Sequence, residues 1–293
     1  MREYAGIREK IIHCSEYGVK SRYIEIDLIP NTEPAQRTTR RKKINVSEPK
    51  QKNLNNKRAV RYLNQLIKTN FTSEDYKLDL SYKTKFKPKD EKEMVRMIKN
   101  YIDRVNRERA KLGLDKAKYI CVNEHGKKHG RIHHHLLISG GLDRDIMEKL
   151  WCDRKRKGVK ERELLGYVNC DRLQFSKSGL DGLVNYITKD MARNDVTDGQ
   201  ITIEDFLNEN TRAKGKRRWM QSKNLKKPWS FPPNDRKYTR SQIEKIVRMP
   251  SDCENVRNMF ERIYRGYELD ECKYEYNDTI GRWSIYLKMH LIS

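Results

Sequence analysis

Hydrophobic and polar positions alternate in short stretches between segments of helical period. Tyr23–Ile29 (Tyr-Ile-Glu-Ile-Asp-Leu-Ile) is apolar at every second position and predicts a strand. Residues 55–70 place Val60, Leu63, Leu66 and Ile67 at helical spacing. Leu78-Asp79-Leu80-Ser81-Tyr82-Lys83 alternates again. A helix is predicted from Pro88 to about Leu112, with Met94, Ile98, Ile102 and Val105 on one face and Gly113 as its stop. Strands follow at 117–124 and 131–139, separated by a turn rich in Gly, His and Lys. A helix is expected at 142–151, a strand within 164–175 and a helix over 178–191, with Leu180, Leu183, Val184 and Ile187 as its stripe. From residue 78 the order is β-α-β-β-α-β-α. That order predicts an α+β fold, an antiparallel central sheet covered by helices, close to ferredoxin-like topology. Beyond it, 241–269 reads as helical apart from Pro250, and 272–292 as a hairpin turning near 277–281.

The 293 residues carry a formal charge of +23, and charged residues equal hydrophobic ones at 36% each. Such an excess points to nucleic acid or an acidic surface as partner. The basic residues are clustered: Gln36–Lys68 holds eleven Lys or Arg against one acid, including the run Arg40-Arg41-Lys42-Lys43. Residues 211–230 hold eight and no acid, with Trp219 and Trp229 interleaved. Arg40, Arg41, Lys42, Lys43, Arg217, Arg218, Trp219, Lys226 and Lys227 are therefore candidate DNA contacts, the tryptophans as stacking partners of single-stranded bases. The alternatives are a solvated helix face for the lysines and arginines and core packing for the tryptophans. Composition and patterning suggest a basic extension at 1–70, a central domain at 71–195 and a basic, helical extension at 196–293. No apolar run approaches the ~20 residues of a membrane span, and the N-terminus lacks a signal-peptide apolar region, so a cytoplasmic location is expected. Six cysteines include no Cys-x-x-Cys pair, which disfavours a zinc ribbon and suggests reduced thiols.

The run Arg131-Ile132-His133-His134-His135-Leu136 concentrates the chemistry. In a strand, His133 and His135 share a face and His134 takes the other, with Ile132 and Leu136. Two imidazoles on one rigid face make half of a metal site; the alternative is a polar strand face. Glu124 completes the site if it pairs opposite His133, and a slip of one residue would put His125 there instead. A carboxylate suits the Mg2+ or Mn2+ used on phosphate esters. Tyr186 and Lys189, spaced i, i+3, can face one site. A phenol becomes a nucleophile where a cation or base favours phenolate. Tyrosine with a metal suggests phosphodiester cleavage through a phosphotyrosine, although a lone tyrosine on such a helix is more often a packing residue.

Taken together, Leu78–Lys83, Glu124 with His133 and His135, and Tyr186-Ile-Thr-Lys189 resemble the three ordered motifs of single-tyrosine HUH endonucleases. These are rolling-circle replication initiators of small phages, plasmids and single-stranded DNA viruses. His134 occupies a middle position that is usually apolar. The runs 49–55, Asn70-Phe71 and 222–228 resemble replication proteins of phages and mobile elements of Gram-positive bacteria, related to filamentous-phage gene II nickases. The resemblance implies an RRM-like HUH palm, with His133, His135 and Glu124 holding a divalent metal, Tyr186 as nucleophile and Lys189 beside the phosphotyrosine or the metal. It implies nicking and rejoining of single-stranded or hairpin origin DNA, with a free 3′ hydroxyl left for a polymerase. With no P-loop motif in the chain, a host helicase would unwind the DNA. A second copy of the chain, or a second tyrosine elsewhere in it, could complete termination. The competing readings are a relaxase or transposase of the same chemistry and a DNA-binding protein without catalysis.

Overall fold

The computed structural model describes residues 6–31, 49–125, 132–154, 161–177, 179–188, 219–278 and 280–292. Arg40, Arg41, Lys42, Lys43, Arg131, Lys189, Arg217 and Arg218 lie outside them. The chain forms two compact units. One comprises Met1–Val46, Ser176–Gly179 and Lys226–Ser293; the other comprises Ser47–Phe175 and Leu180–Leu225. The N-terminal strands build a sheet with strands more than 200 residues downstream, and the helix expected at 55–70 belongs to the second of these units.

The second unit is built on strands β3 (Tyr76–Leu80), β4 (Tyr119–His125), β5 (Ile132–Ile138), β6 (Val168–Arg172) and β7 (Met220–Gln221), in the order β6-β3-β5-β4-β7. Every pairing is antiparallel. Helix α1 (Pro49–Asn70) precedes β3 and α2 (Glu91–Lys111) follows it. Helix α3 (Arg144–Lys149) follows β5, and α4 (Asp181–Ile187) follows β6. The βαββαβ order with β3 and β5 central is the ferredoxin-like arrangement expected from the sequence, with β7 added at one edge.

Alternation along the strands splits the core into two layers. Leu78, Leu80, Cys121, Leu136 and Ile138 face Ile98, Tyr101 and Val105 of α2, Met147 of α3 and Trp151. Ile120, Val122 and Leu137 face Leu63, Leu66 and Ile67 of α1 and Leu180, Val184 and Ile187 of α4. The central strand β5 is thus buried on both faces, which explains its nearly continuous apolar C-terminal half. Helix α2 starts where Asp90 accepts the Glu93 backbone N–H at 2.7 Å and ends before Gly113, whose φ of 68° a β-carbon would strain.

The first unit contains β1 (Gly6–His13), β2 (Tyr23–Pro30), β8 (Asn234–Thr239), β9 (Tyr267–Asn277) and β10 (Arg282–Leu291), in the order β8-β1-β2-β10-β9. Helices α5 (Arg240–Ile246) and α6 (Glu254–Ile263) pack Ile243, Ile246, Val256 and Phe260 onto Ile24, Ile26, Leu28, Ile285, Leu287 and Met289. The helical stretch expected at 241–269 is therefore two helices split around Pro250, and its last residues already belong to β9. The six cysteines are free. Among the described residues, no helix is long and apolar enough to cross a membrane.

Candidate active site

Strand β5 presents His133 and His135 to the α1/α4 face of its sheet, while His134 joins the α2/α3 layer. His134 is fully buried and both its nitrogens are used. Nδ1 lies 2.7 Å from Asn123 Oδ1 and Nε2 lies 2.7 Å from the Tyr82 hydroxyl. An amide oxygen only accepts, so Nδ1 carries the proton and Nε2 accepts from Tyr82. The middle histidine is thus a satisfied core residue, edge-on to Tyr82 and Trp151.

The β4–β5 register puts Glu124 opposite His133 and His125 opposite Ile132, so Glu124 is the residue that the hairpin brings to the pair. Strand β3 brings a second carboxylate, because Asp79 is in register with His135. Asp79 Oδ1 lies 2.6 Å from His135 Nδ1, and Glu124 Oε2 lies 2.7 Å from His135 Nε2. Burial opposes charge on this imidazole, which is 4% exposed, but the bonds to Asp79 and Glu124 prevail and raise its pKa. Burial likewise works to raise Asp79, yet its bonds to His135 and Lys77 hold the carboxyl below its usual range. Lys77 Nζ lies 2.7 Å from Asp79 Oδ2.

Tyr186 comes from α4. Its neighbours Val184 and Ile187 point into the core, so Tyr186 stands one residue off the buried stripe and is 47% exposed. Its ring meets His135 edge-on with centroids 5.4 Å apart, and Lys77 Nζ lies 5.2 Å from the centre of the phenol ring. The helix is fixed from α1: Asp181 Oδ1 accepts from Lys68 Nζ at 2.7 Å and from Asn64 Nδ2 at 2.9 Å. The sequence-predicted Glu124, His133, His135 and Tyr186 are thereby gathered on one face of one sheet, and Lys189 lies outside the described residues.

The donor set of two imidazoles and one carboxylate suits a divalent metal, and Asp79 on Nδ1 holds the His135 ring with Nε2 turned to Glu124. Among the described residues, no three His, Cys, Asp or Glu side chains already form a metal cage. Asp79 and Lys77 were missed as site residues. Their signal was the alternation itself: polar positions between Tyr76, Leu78 and Leu80 must lie on the opposite face, and only the strand pairing says that this is the histidine face.

Of the candidate DNA contacts, Lys226 and Lys227 are exposed, and Lys226 Nζ lies 2.8 Å from Glu16 Oε1. Trp219 packs against the core, the alternative that the sequence leaves open beside base stacking. It immediately precedes β7, whose pairing with β4 draws the indole onto the α1/α4 core layer, half-buried, with Nε1 donating to Gln221 Oε1 at 2.7 Å.

No curated protein and no solved structure matches the chain. One family does: residues 75–195, from the start of β3 through α4, match the model of the replication-associated protein family of ORF2 and gene II proteins, over less than half of the chain.

Proposed function

We propose that this chain is a rolling-circle replication initiator that nicks and rejoins single-stranded or hairpin origin DNA through Tyr186. The observation that carries the reading is the approach of Tyr186 to His135, on a strand that also presents His133 opposite Glu124. The match to a replication-associated family over the same residues supports it.

This reading implies a transesterification. The Tyr186 oxygen forms a bond to phosphorus as its proton passes to water. The bond to the 3′ oxygen breaks, and that oxygen takes up a proton to become a free hydroxyl. The 5′ phosphate stays on the tyrosine, so the phosphodiester can be remade by the reverse reaction without ATP. His133, His135 and Glu124 would hold Mg2+ or Mn2+, with the proton on His135 Nε2 displaced. A bound divalent ion withdraws charge from the scissile phosphate and fixes its orientation. Asp79 holds the His135 ring in place, and Lys77 supplies positive charge beside the phenol. Lys189 would stand next to the phosphate. The excess of basic residues supports binding of the DNA backbone and a steep salt dependence. A host helicase and polymerase would complete replication, and a second copy of the chain could serve termination.

The reading is tested with labelled single-stranded oligonucleotides tiling the element's intergenic DNA, in Mn2+, on a denaturing gel. A covalent protein–DNA band is expected that disappears with EDTA and in Tyr186→Phe. Tight, salt-sensitive binding with no covalent band on any oligonucleotide would instead identify a DNA-binding protein without catalysis.

A further inference from the structure

The loop between β1 and β2 and the segment 226–231 meet within the first unit in a cluster of rings that the nicking chemistry does not use. His13 and Trp229 exchange backbone hydrogen bonds in both directions, of 2.7 and 3.1 Å. Their rings stack at 4.3 Å with 13° between planes. The indole N–H donates to Ser15 Oγ and to the Glu16 carbonyl, each at 3.2 Å. Tyr17 and Phe231 each set a ring against this indole with centroids 4.9 Å away. Trp229 is therefore fixed by main chain and side chain together, whereas Tyr17 and Phe231 remain 75% and 57% exposed. Single exposed aromatics are ordinary on protein surfaces; two of them on a third that is held rigid form a contiguous apolar ledge.

Its surroundings say what would cover it. Residues 13–22 and 226–231 carry Lys20, Arg22, Lys226 and Lys227 against one acid, Glu16. All four basic side chains are exposed. The complementary partner is a polyanion that offers flat apolar faces at close spacing. Single-stranded DNA does so, whereas a duplex hides its base faces in the stack. We propose that Tyr17, Trp229 and Phe231 form a base-stacking platform for single-stranded DNA in the unit that does not hold the His133/His135 cluster. This deepens the proposed function by giving the DNA a second footing on the protein, and it rests on that reading only for the identity of the nucleic acid.

The test uses the full chain with Tyr186→Phe, so that nothing is cleaved, and measures anisotropy of labelled oligothymidylate and of an abasic oligonucleotide of equal length. Stacking makes the first bind about tenfold or more tighter than the second. Adding Tyr17→Ala and Phe231→Ala abolishes most of that preference and leaves affinity for the abasic strand unchanged. Both rings are exposed, so the fold is expected to survive, and each single variant should lose some of the preference. An unchanged preference in the double variant, or equal loss on both oligonucleotides, overturns the proposal and leaves the ledge to a protein partner or to charge alone. The nicking reading is scored apart, in Tyr17→Ala/Phe231→Ala with Tyr186 intact: nicking there with an unchanged base preference sinks the platform and spares the nickase.

Discussion

At His135 two carboxylates take one ring nitrogen each, and they reach it from different places in the fold. Asp79 reaches Nδ1 from a neighbouring strand that is itself buried in the sheet, so its position is set by the fold. Glu124 reaches Nε2 from near the end of a hairpin. In the proposed site Asp79 orients the ring, and Glu124 would exchange its bond to Nε2 for an ion. Replacing Asp79 with Asn keeps an acceptor for Nδ1–H but removes the charge that makes the ring a better ligand. Mn2+ affinity measured by calorimetry should fall about 10- to 100-fold in Asp79→Asn. Unchanged affinity would show that Asp79 plays no role in the site. His134 gives the contrast at the same scale. It stands between the two candidate ligands in sequence, and its bonds to Asn123 and Tyr82 make it a core residue.

The tyrosine reaches the histidines because α4 is held to α1. The Lys68 side chain is 3% exposed and its ion pair with Asp181 is drawn out of water, where removing one partner leaves the other charge uncompensated. Lys68→Met keeps the apolar stem and removes the charge. It should destabilise the second unit by about 3 kcal/mol in thermal unfolding and slow nicking by loosening α4. Full stability and full activity in that variant would mean that α4 is held by its apolar stripe alone. Much of this level was legible in the sequence. The stripe Leu180, Leu183, Val184 and Ile187 marks the helix, and the alternation around His133 marks the strand. The pairing of Glu124 with His133 was one of two registers that the hairpin allowed. The Lys68–Asp181 contact was not legible, because it joins residues 113 positions apart and neither belongs to an unusual local pattern.

Across the whole molecule, the least legible feature was the first unit. Its sheet places β1 between β2 and β8, and β2 between β1 and β10, so N-terminal strands complete a sheet whose remainder lies at the C-terminal end. Periodicity marks a strand at 23–29 and a hairpin near 277–281; it carries no information that they pair. The core of this unit also buries phenols. Desolvation drives Tyr264 far above the ordinary phenol pKa and pushes Tyr238 up to about 12, and the Tyr264 hydroxyl donates to the buried Glu9 carboxylate at 2.5 Å. Their folded pKa values lie above the unfolded value near 10, so the folded state holds its phenol protons where the unfolded chain releases them. Stability from this source is complete below pH ~10 and is lost as pH rises beyond it. Alkaline unfolding followed by tyrosinate absorbance should therefore show a cooperative step in which these tyrosines ionise only as the unit unfolds. Smooth titration near the ordinary phenol value, with the fold intact, would contradict the burial.

In the proposed mechanism Tyr186 becomes bonded to DNA under the control of the His133/His135 pair. Mass spectrometry of the digested covalent complex tests this most directly, with wild-type chain and the His133→Ala/His135→Ala variant treated alike in Mn2+. A nucleotide is expected on the peptide that carries Tyr186 in the wild type, and none in the variant. A nucleotide on another residue, or an equal yield on Tyr186 without the two histidines, would contradict the mechanism.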